Sequence, residues 1–208
     1  MSRRRNNHPV VEVIKTSKTV LPDLDPFTPR QHMVQILQAV FPSFPWDDDV
    51  SETARRFLSY LGEYEPQTDI NFEFTTFEAD INQQVLMKNI EFRSVCIHHL
   101  LPFWGVAHVA YIPNRKMVGA SKIPRLVDFW SRRPQTQEYI TASIASDLKH
   151  RLECMGVAVL LHARHPCISC RGVSKMDAEM VTSEMRGVYL TNPASRAEFM
   201  SSVLLKLE

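Results

Sequence analysis

The stretch Ile140-Thr-Ala-Ser-Ile144-Ala-Ser-Asp-Leu148-Lys-His-Arg-Leu152, with Gly156 and Val157-Ala-Val-Leu-Leu161 just beyond it, decides the fold. Apolar residues at every fourth position give a helix one buried face, over roughly Gln135–Glu153. Gly156 stands where a helix terminator belongs. A strand pattern then runs over Val157–Cys167. Upstream, Leu126, Val127, Phe129 and Trp130 mark the buried side of another helix, with Ser121 as candidate N-cap and Arg133-Pro134 near its end. A helix pair therefore precedes a strand. Strands also precede the pair. Ile70, Phe72, Phe74 and Thr76 alternate with Asn71, Glu73 and Thr75, the two-residue beat of a half-buried strand over Ile70–Ala79. Gln84–Val95 and Gly105–Ile112 read as two more, the last ending at the turn Pro113-Asn114. Farther out, Glu52–Tyr64 carries Phe57, Leu58, Tyr60 and Leu61 at helical spacing, and Gln31–Phe41 reads as a short helix closed by Pro42, Pro45 and Asp47-Asp48-Asp49. Residues 1–30 read as an extended arm, and a last helix follows Asn192-Pro193. The order predicts an α+β fold, an antiparallel sheet with a helix pair inserted between its strands.

Composition narrows the function. The chain has 208 residues, with 24 Lys plus Arg against 23 Asp plus Glu, a net charge of +1. That balance supplies no general field for a nucleic-acid backbone, though a local basic pocket is compatible with it. The longest apolar run is Val157–Leu161, far short of the roughly 18 residues a membrane span needs. The basic start Met1-Ser-Arg-Arg-Arg5 has no apolar core after it, so no secretory signal is read there. Four cysteines are too few for a disulfide scaffold and read as cytoplasmic thiols or metal ligands. No glycine-rich phosphate loop of either common pattern occurs, which excludes a P-loop or a Rossmann turn.

The chemistry concentrates in Cys96-Ile-His98-His99 and His165-Pro-Cys167. In a turn, positions three apart converge, which suits Cys96 and His99. In a strand, positions two apart share a face, which predicts that His165 and Cys167 enter one pocket together. Thiolate and imidazole are zinc's preferred ligands, and three of them leave a position for a reactive water. Cys170 is a candidate fourth ligand that would close the site. The competing reading is that these are small buried hydrophobes and satisfied core histidines. Ser121-Lys122-Ile-Pro-Arg125 puts a hydroxyl, an ammonium and a guanidinium at a helix start, an anion site or else a capped, solvated helix end. Gln137 and Glu138 open the next helix. There a carboxylate favours the helix dipole, and it also matches the paired donors of a guanine, N1–H and the 2-amino group. Arg171 is either a surface charge or a phosphate partner.

Cys96-x-His98-His99-Leu100, Val118-Gly-Ala-Ser121-Lys122-Ile-x-Arg125, Arg133-Pro-Gln-Thr-Gln137-Glu138 and His165-x-Cys167-x-x-x-Arg171-Gly172 follow the order and spacing of GTP cyclohydrolase I. The resemblance runs from about Glu52 to the C-terminal helix and includes Val181-Thr-Ser183 and Gly187; it does not cover the N-terminal arm. It implies the tunnelling fold with N-terminal helices, residues 1–50 as arm and short helix, and residues 51–208 as the catalytic domain. It implies a homo-oligomer, five subunits closing a barrel and two rings forming a decamer, with active sites where subunits meet. It implies Zn2+ on Cys96, His99 and Cys167, and acid/base work by His98 and His165. Gln137 and Glu138 would hold the guanine, Ser121, Lys122, Arg125 and Arg171 the ribose and triphosphate, and Arg56 a neighbouring subunit's phosphates. The implied reaction hydrolyses GTP at C8 to 7,8-dihydroneopterin triphosphate and formate, the first step of pterin/folate-type or 7-deazaguanine biosynthesis.

The sequence departs from the family pattern at Ile97, where a glutamate is usual, at Ser59 and Tyr139, where basic residues are common, and at Arg186, where an apolar residue is commoner. These departures bear on substrate affinity more than on reaction type. Two rivals are another tunnelling-fold enzyme acting on a related purine or pterin, and a catalytically silent purine-binding paralogue. A silent paralogue should have lost a metal ligand or an acid/base histidine, and all five are present.

Overall fold

The structure is a computed structural model that describes residues 28–46, 49–66, 74–78 and 80–205. The arm read over residues 1–30 therefore lies almost wholly outside the described residues. The chain divides into two compact units, Met1–Arg55 and Arg56–Glu208. In the first, α1 (Pro29–Val40) starts from a capping box in which Thr28 and Gln31 satisfy each other's backbone N–H groups. The helix α2 (Asp49–Gly62) crosses from the first unit into the second.

The second unit carries a five-stranded sheet in the order β5-β2-β3-β6-β7. Its strands are β2 (Val85–Cys96), β3 (Pro102–Ile112), β5 (Pro134–Gln135), β6 (Gly156–Arg164) and β7 (Glu179–Gly187). All pairings are antiparallel except the short parallel one of β2 with β5. A separate antiparallel ribbon joins β1 (Thr76–Glu78) to β4 (Lys116–Val118). The expected strand over Ile70–Ala79 survives as β1; residues 70–73 and 79 lie outside the described residues. The helix pair is α3 (Lys122–Ser131) and α4 (Gln137–Leu152), inserted between β4 and β6 as the sequence predicts.

Alternation sorts the sheet's side chains into two cores. Ala107, Val109 and Tyr111 of β3 and Val157, Val159 and Leu161 of β6 pack with Ile123, Leu126, Ile140, Ile144 and Leu148 of the helix pair. Ala110, Ile112, Ala158 and Leu160 turn to the other face and meet Tyr189 of α6 (Val188–Thr191) and Phe199 of α7 (Pro193–Leu204). The sheet is thus covered on both sides, and Cys96 is itself part of the helix-side core.

Three local expectations need correction. The left-handed residue that ends α4 is Glu153, at φ 50°, and Gly156 instead begins β6. The strand read over Val157–Cys167 stops at Arg164, because Pro166 cannot donate to a ladder and opens the one-turn helix α5 (Pro166–Ser169). The strand β7 went unread because it is an edge strand with no fully buried residue, so its sequence is rich in polar residues. Gly187 ends it at φ +61°, where an added Cβ would lie 2.1 Å from the Met155 carbonyl oxygen.

Candidate metal centre and the groups around it

Cys96 ends β2 and begins a tight turn. Its backbone N–H donates to Leu101 O (2.9 Å), and its carbonyl accepts from Leu100 N (2.8 Å) and His99 N (3.3 Å). This folds His99 back over Cys96, with 3.6 Å between Cys96 Sγ and His99 Nδ1. Cys167 comes from α5, whose first turn closes through Ile168 N to His165 O at 2.8 Å. The ligand atoms of Cys96, His99 and Cys167 all lie within 4.8 Å of one another. Two ligands of one tetrahedral zinc, at about 2.3 Å for sulfur and 2.0–2.1 Å for nitrogen, sit about 3.6 Å apart. The donor set and the spacing fit such an ion. Burial pushes the Cys167 thiol up, and the neighbouring Cys96 sulfur pushes it further, the electrostatics a cation would relieve.

Cys170 stands apart. It is exposed and belongs to no such cluster among the described residues. His98 lies next to the trio, exposed, with Nδ1 3.8 Å from Cys96 Sγ.

The strand β5 brings in the start of α4. Cys96 pairs with Gln135, and Ile97 N donates to Gln135 O at 3.3 Å. Thr136 then caps α4 by accepting from Tyr139 N at 3.3 Å. Gln137 is only 1% exposed, and its side chain turns toward His165 with 2.7 Å between Oε1 and Nε2. His165 is 8% exposed and lies flat on Phe103 of β3, ring centroids 4.3 Å apart at 16°. Burial lowers the His165 pKa, while the nearby Glu138 carboxylate opposes that shift. His165 and Cys167 thus stand at a strand end and in a helical turn, not on the alternating strand expected of them. Phe103 was not read as a site residue, and nothing short of its strand partner could have revealed it.

The remaining candidates form a different population. Glu138, Ser121, Arg125, Arg171 and Arg56 are exposed, and Lys122 is half-buried. Ser121 occupies the N-cap position of α3, yet its hydroxyl makes no capping bond and is left over for something else. Among the described residues, Lys122, Arg125, Arg171 and Arg56 form no ion pair, although Arg30, Arg55, Arg93, Arg132, Arg151, Arg164 and Arg186 all do. Arg56 lies one helical turn from Tyr60, whose hydroxyl donates to Leu100 O at 3.4 Å in the turn after His99. Of the departures, Ile97 is 52% exposed and Tyr139 packs its ring edge to Trp130 at 6.3 Å. Arg186 pairs with Glu184 at 3.2 Å.

A family model described as GTP cyclohydrolase I matches residues 30–204, reaching some twenty residues further toward the N-terminus than the sequence motifs do. GTP cyclohydrolase 1 of Campylobacter jejuni subsp. jejuni serotype O:23/36 (strain 81-176) is 51% identical over 127 residues, 61% of this chain and 67% of its own. The enzyme of that name from Campylobacter curvus (strain 525.92) is 46% identical over 150 residues, 72% of this chain and 78% of its own. Among solved structures, the archaeosine synthase QueF-Like in the apo form superposes with a TM-score of 0.43 and 17% identity, over 50% of this chain and 93% of that one.

Proposed function

The chain belongs to the GTP cyclohydrolase I family, and from that premise we propose that it hydrolyses GTP to 7,8-dihydroneopterin triphosphate and formate, with zinc held by Cys96, His99 and Cys167. The observation that carries this reading is the convergence of those three ligand atoms within 4.8 Å, beside a buried histidine. Zinc bound there supplies Lewis acidity and lowers the pKa of its water toward neutrality. The chain's own groups do the rest. The weakly electrophilic C8 of guanine is activated when N7 is protonated, and His165 is the buried histidine beside the ligand trio that serves for it. His98, exposed and 3.8 Å from Cys96 Sγ, serves as the second proton carrier for ring opening and formate release. Glu138 accepts from N1–H and the 2-amino group. Lys122, Arg125, Arg171 and Arg56, uncommitted to any carboxylate, balance the triphosphate. The product then enters pterin/folate-type or 7-deazaguanine biosynthesis in the cytoplasm; among the described residues no helix is long and apolar enough to cross a membrane.

The ring belongs to the same proposal. The outer edge of β7 finds no strand partner among the described residues, and β5 covers β2 only at Val95 and Cys96. Two long open edges on one sheet invite pairing between copies, and closure into a pentameric barrel, doubled to a decamer, removes both. Light scattering should show an assembly far larger than a monomer. A monomer that turns over GTP removes the ring from the proposal. Incubation of the purified protein with GTP should yield formate and, after oxidation, a fluorescent pterin. Tight GTP binding without either product would mark a silent purine-binding paralogue.

A further inference from the structure

Gln137 makes more contacts than a substrate ligand has room for. Its Nε2 lies 3.2 Å from Leu161 O, 3.1 Å from Met180 O and 3.1 Å from Thr182 Oγ1. Two of these three are backbone carbonyls, which only accept, so the amide cannot rotate by half a turn without setting Oε1 against them. The carbonyl oxygen Oε1 is thereby aimed at His165 Nε2, 2.7 Å away. An amide oxygen only accepts, so His165 Nε2 carries the hydrogen.

The hydroxyl protons can be placed by the same elimination. Thr141 Oγ1 lies 2.8 Å from the Gln137 backbone oxygen, which has no hydrogen, so Thr141 donates there. Its single proton is then spent. The 2.7 Å contact between Thr141 Oγ1 and Thr182 Oγ1 must be donated by Thr182. That turns a lone pair of Thr182 toward Gln137 Nε2. Gln137 Nε2 has two hydrogens for three acceptors, so Thr182 shares one of them with a carbonyl in a three-centre bond. One direction then runs throughout: His165 to Gln137 Oε1, Gln137 Nε2 to Thr182, Thr182 to Thr141, Thr141 back to the α4 backbone. Phe103, stacked at 4.3 Å, keeps the imidazole in the plane the circuit requires.

The geometry points to Thr182 and Thr141 as positioning residues that, through Gln137, hold His165 with Nε2 protonated, leaving Nδ1 as the nitrogen that meets the substrate. The catalytic half of this statement rests on the GTP cyclohydrolase reading above; the imidazole's tautomer does not. It reassigns Gln137 from guanine contact to the orientation of the histidine. The arrangement explains why a fully buried glutamine sits beside an exposed Glu138 at the start of one helix.

Two measurements test it. Solid-state nitrogen-15 spectra of the histidine-labelled protein, with the His165 resonances identified by their loss in His165→Ala, should show a protonated Nε2 and a bare Nδ1. In Gln137→Met the two forms should mix. A protonated Nδ1 in the unsubstituted protein overturns the inference whether or not GTP is consumed. Steady-state kinetics with GTP supply the second test. Gln137→Met should lose about a hundredfold in kcat and Thr182→Val about five- to tenfold, within the range a positioned acid contributes, with KM for GTP moving less than threefold. Thr182→Ser, which keeps the hydroxyl, should restore kcat to within about twofold of the original. A raised KM at constant kcat in Gln137→Met would return that residue to guanine binding. Thr182→Ser as slow as Thr182→Val would reduce Thr182 to packing. If the unsubstituted protein releases no formate, the functional reading fails by itself, and the nitrogen spectra still decide the tautomer.

Discussion

The interior cluster around His165 and the charged rim around Glu138 meet at adjacent residues, Gln137 and Glu138, yet they are built on opposite principles. Inside, Gln137, Thr141, Thr182 and His165 bond to one another, and within the described chain the pattern is closed. Outside, Glu138, Ser121, Lys122, Arg125, Arg171 and Arg56 carry charges or hydroxyls that, among the described residues, no carboxylate, guanidinium or cap takes up. A buried polar group left without a partner costs about 1–3 kcal/mol, so the interior must be complete before substrate arrives. An exposed ion loses little by waiting in water, and it is free to exchange that water for a phosphate or a guanine. Under the proposed function, the difference teaches where each part of the reaction would be prepared: proton transfer in the folding of one chain, recognition in the binding of ligand.

The largest expected effect breaks the interior. Cys96→Ser removes one of the three converging ligand atoms, so metal analysis should show the ion depleted and GTP turnover should fall more than a hundredfold, beyond the roughly ten- to hundredfold typical of outer-shell changes. Removing the metal from the unsubstituted protein with a chelator should do the same, and zinc should restore turnover. Full metal occupancy with normal turnover in Cys96→Ser would mean that the trio is merely a buried thiol cluster.

The next effect tests the rim where it touches the interior. Glu138→Gln keeps the shape but gives up an acceptor and the charge. GTP turnover should drop tenfold to several hundredfold, from the roughly 1–3 kcal/mol of a mismatched buried acceptor once guanine covers it. The helix itself should hardly notice, because Thr136 already caps α4. A slightly lower Tm with normal turnover would assign Glu138 to the helix dipole alone. Arg125→Ala is milder still. One charge-assisted contact among several should raise KM for GTP about tenfold and leave kcat and metal content unchanged. An unchanged KM would remove Arg125 from the phosphate set.

Much of this was legible in the chain, for physical reasons that differ by element. Leu126, Ile140, Ile144 and Leu148 announce the helix pair because each helix buries one face, and burial leaves a period. Cys96 and His99 were legible because a turn brings positions three apart together whatever surrounds it. The strand β7 was not, since an edge strand with no fully buried residue tolerates Glu179, Ser183 and Glu184 and so carries little pattern. The burial of Gln137 was not legible for a related reason. A polar residue at a helix start reads as exposed, and only the pairing of β5 with β2 and the carbonyls of Leu161 and Met180 draw it inside. Thr141 and Thr182 stand 41 positions apart and meet only because α4 packs across β7. Local rules reach local geometry; the polar circuit is made by tertiary contacts that no window of sequence contains.

The smallest expected effect marks the outer limit of the interior cluster. Cys170 follows Cys167 at the spacing of a metal-binding pair, so from sequence it is a natural fourth ligand that would close the site. In the fold it is exposed on the C-terminal side of α5, and its backbone N–H instead closes that single turn by donating to Pro166 O at 2.9 Å. A short helix carries residues three apart to the same side, but here the ligand trio draws on β2, the turn after it and the first residues of α5, with Cys170 left outside. A fourth thiolate would also fill the position a water needs, which suits a structural ion and not a hydrolytic one. Cys170→Ser should therefore keep its zinc, its kcat and its KM within about twofold, the size of a neutral surface substitution. Loss of zinc from this variant alone, with Cys96, His99 and Cys167 intact, would show a closed four-ligand site and would count against hydrolysis at this centre more directly than any change in the rim.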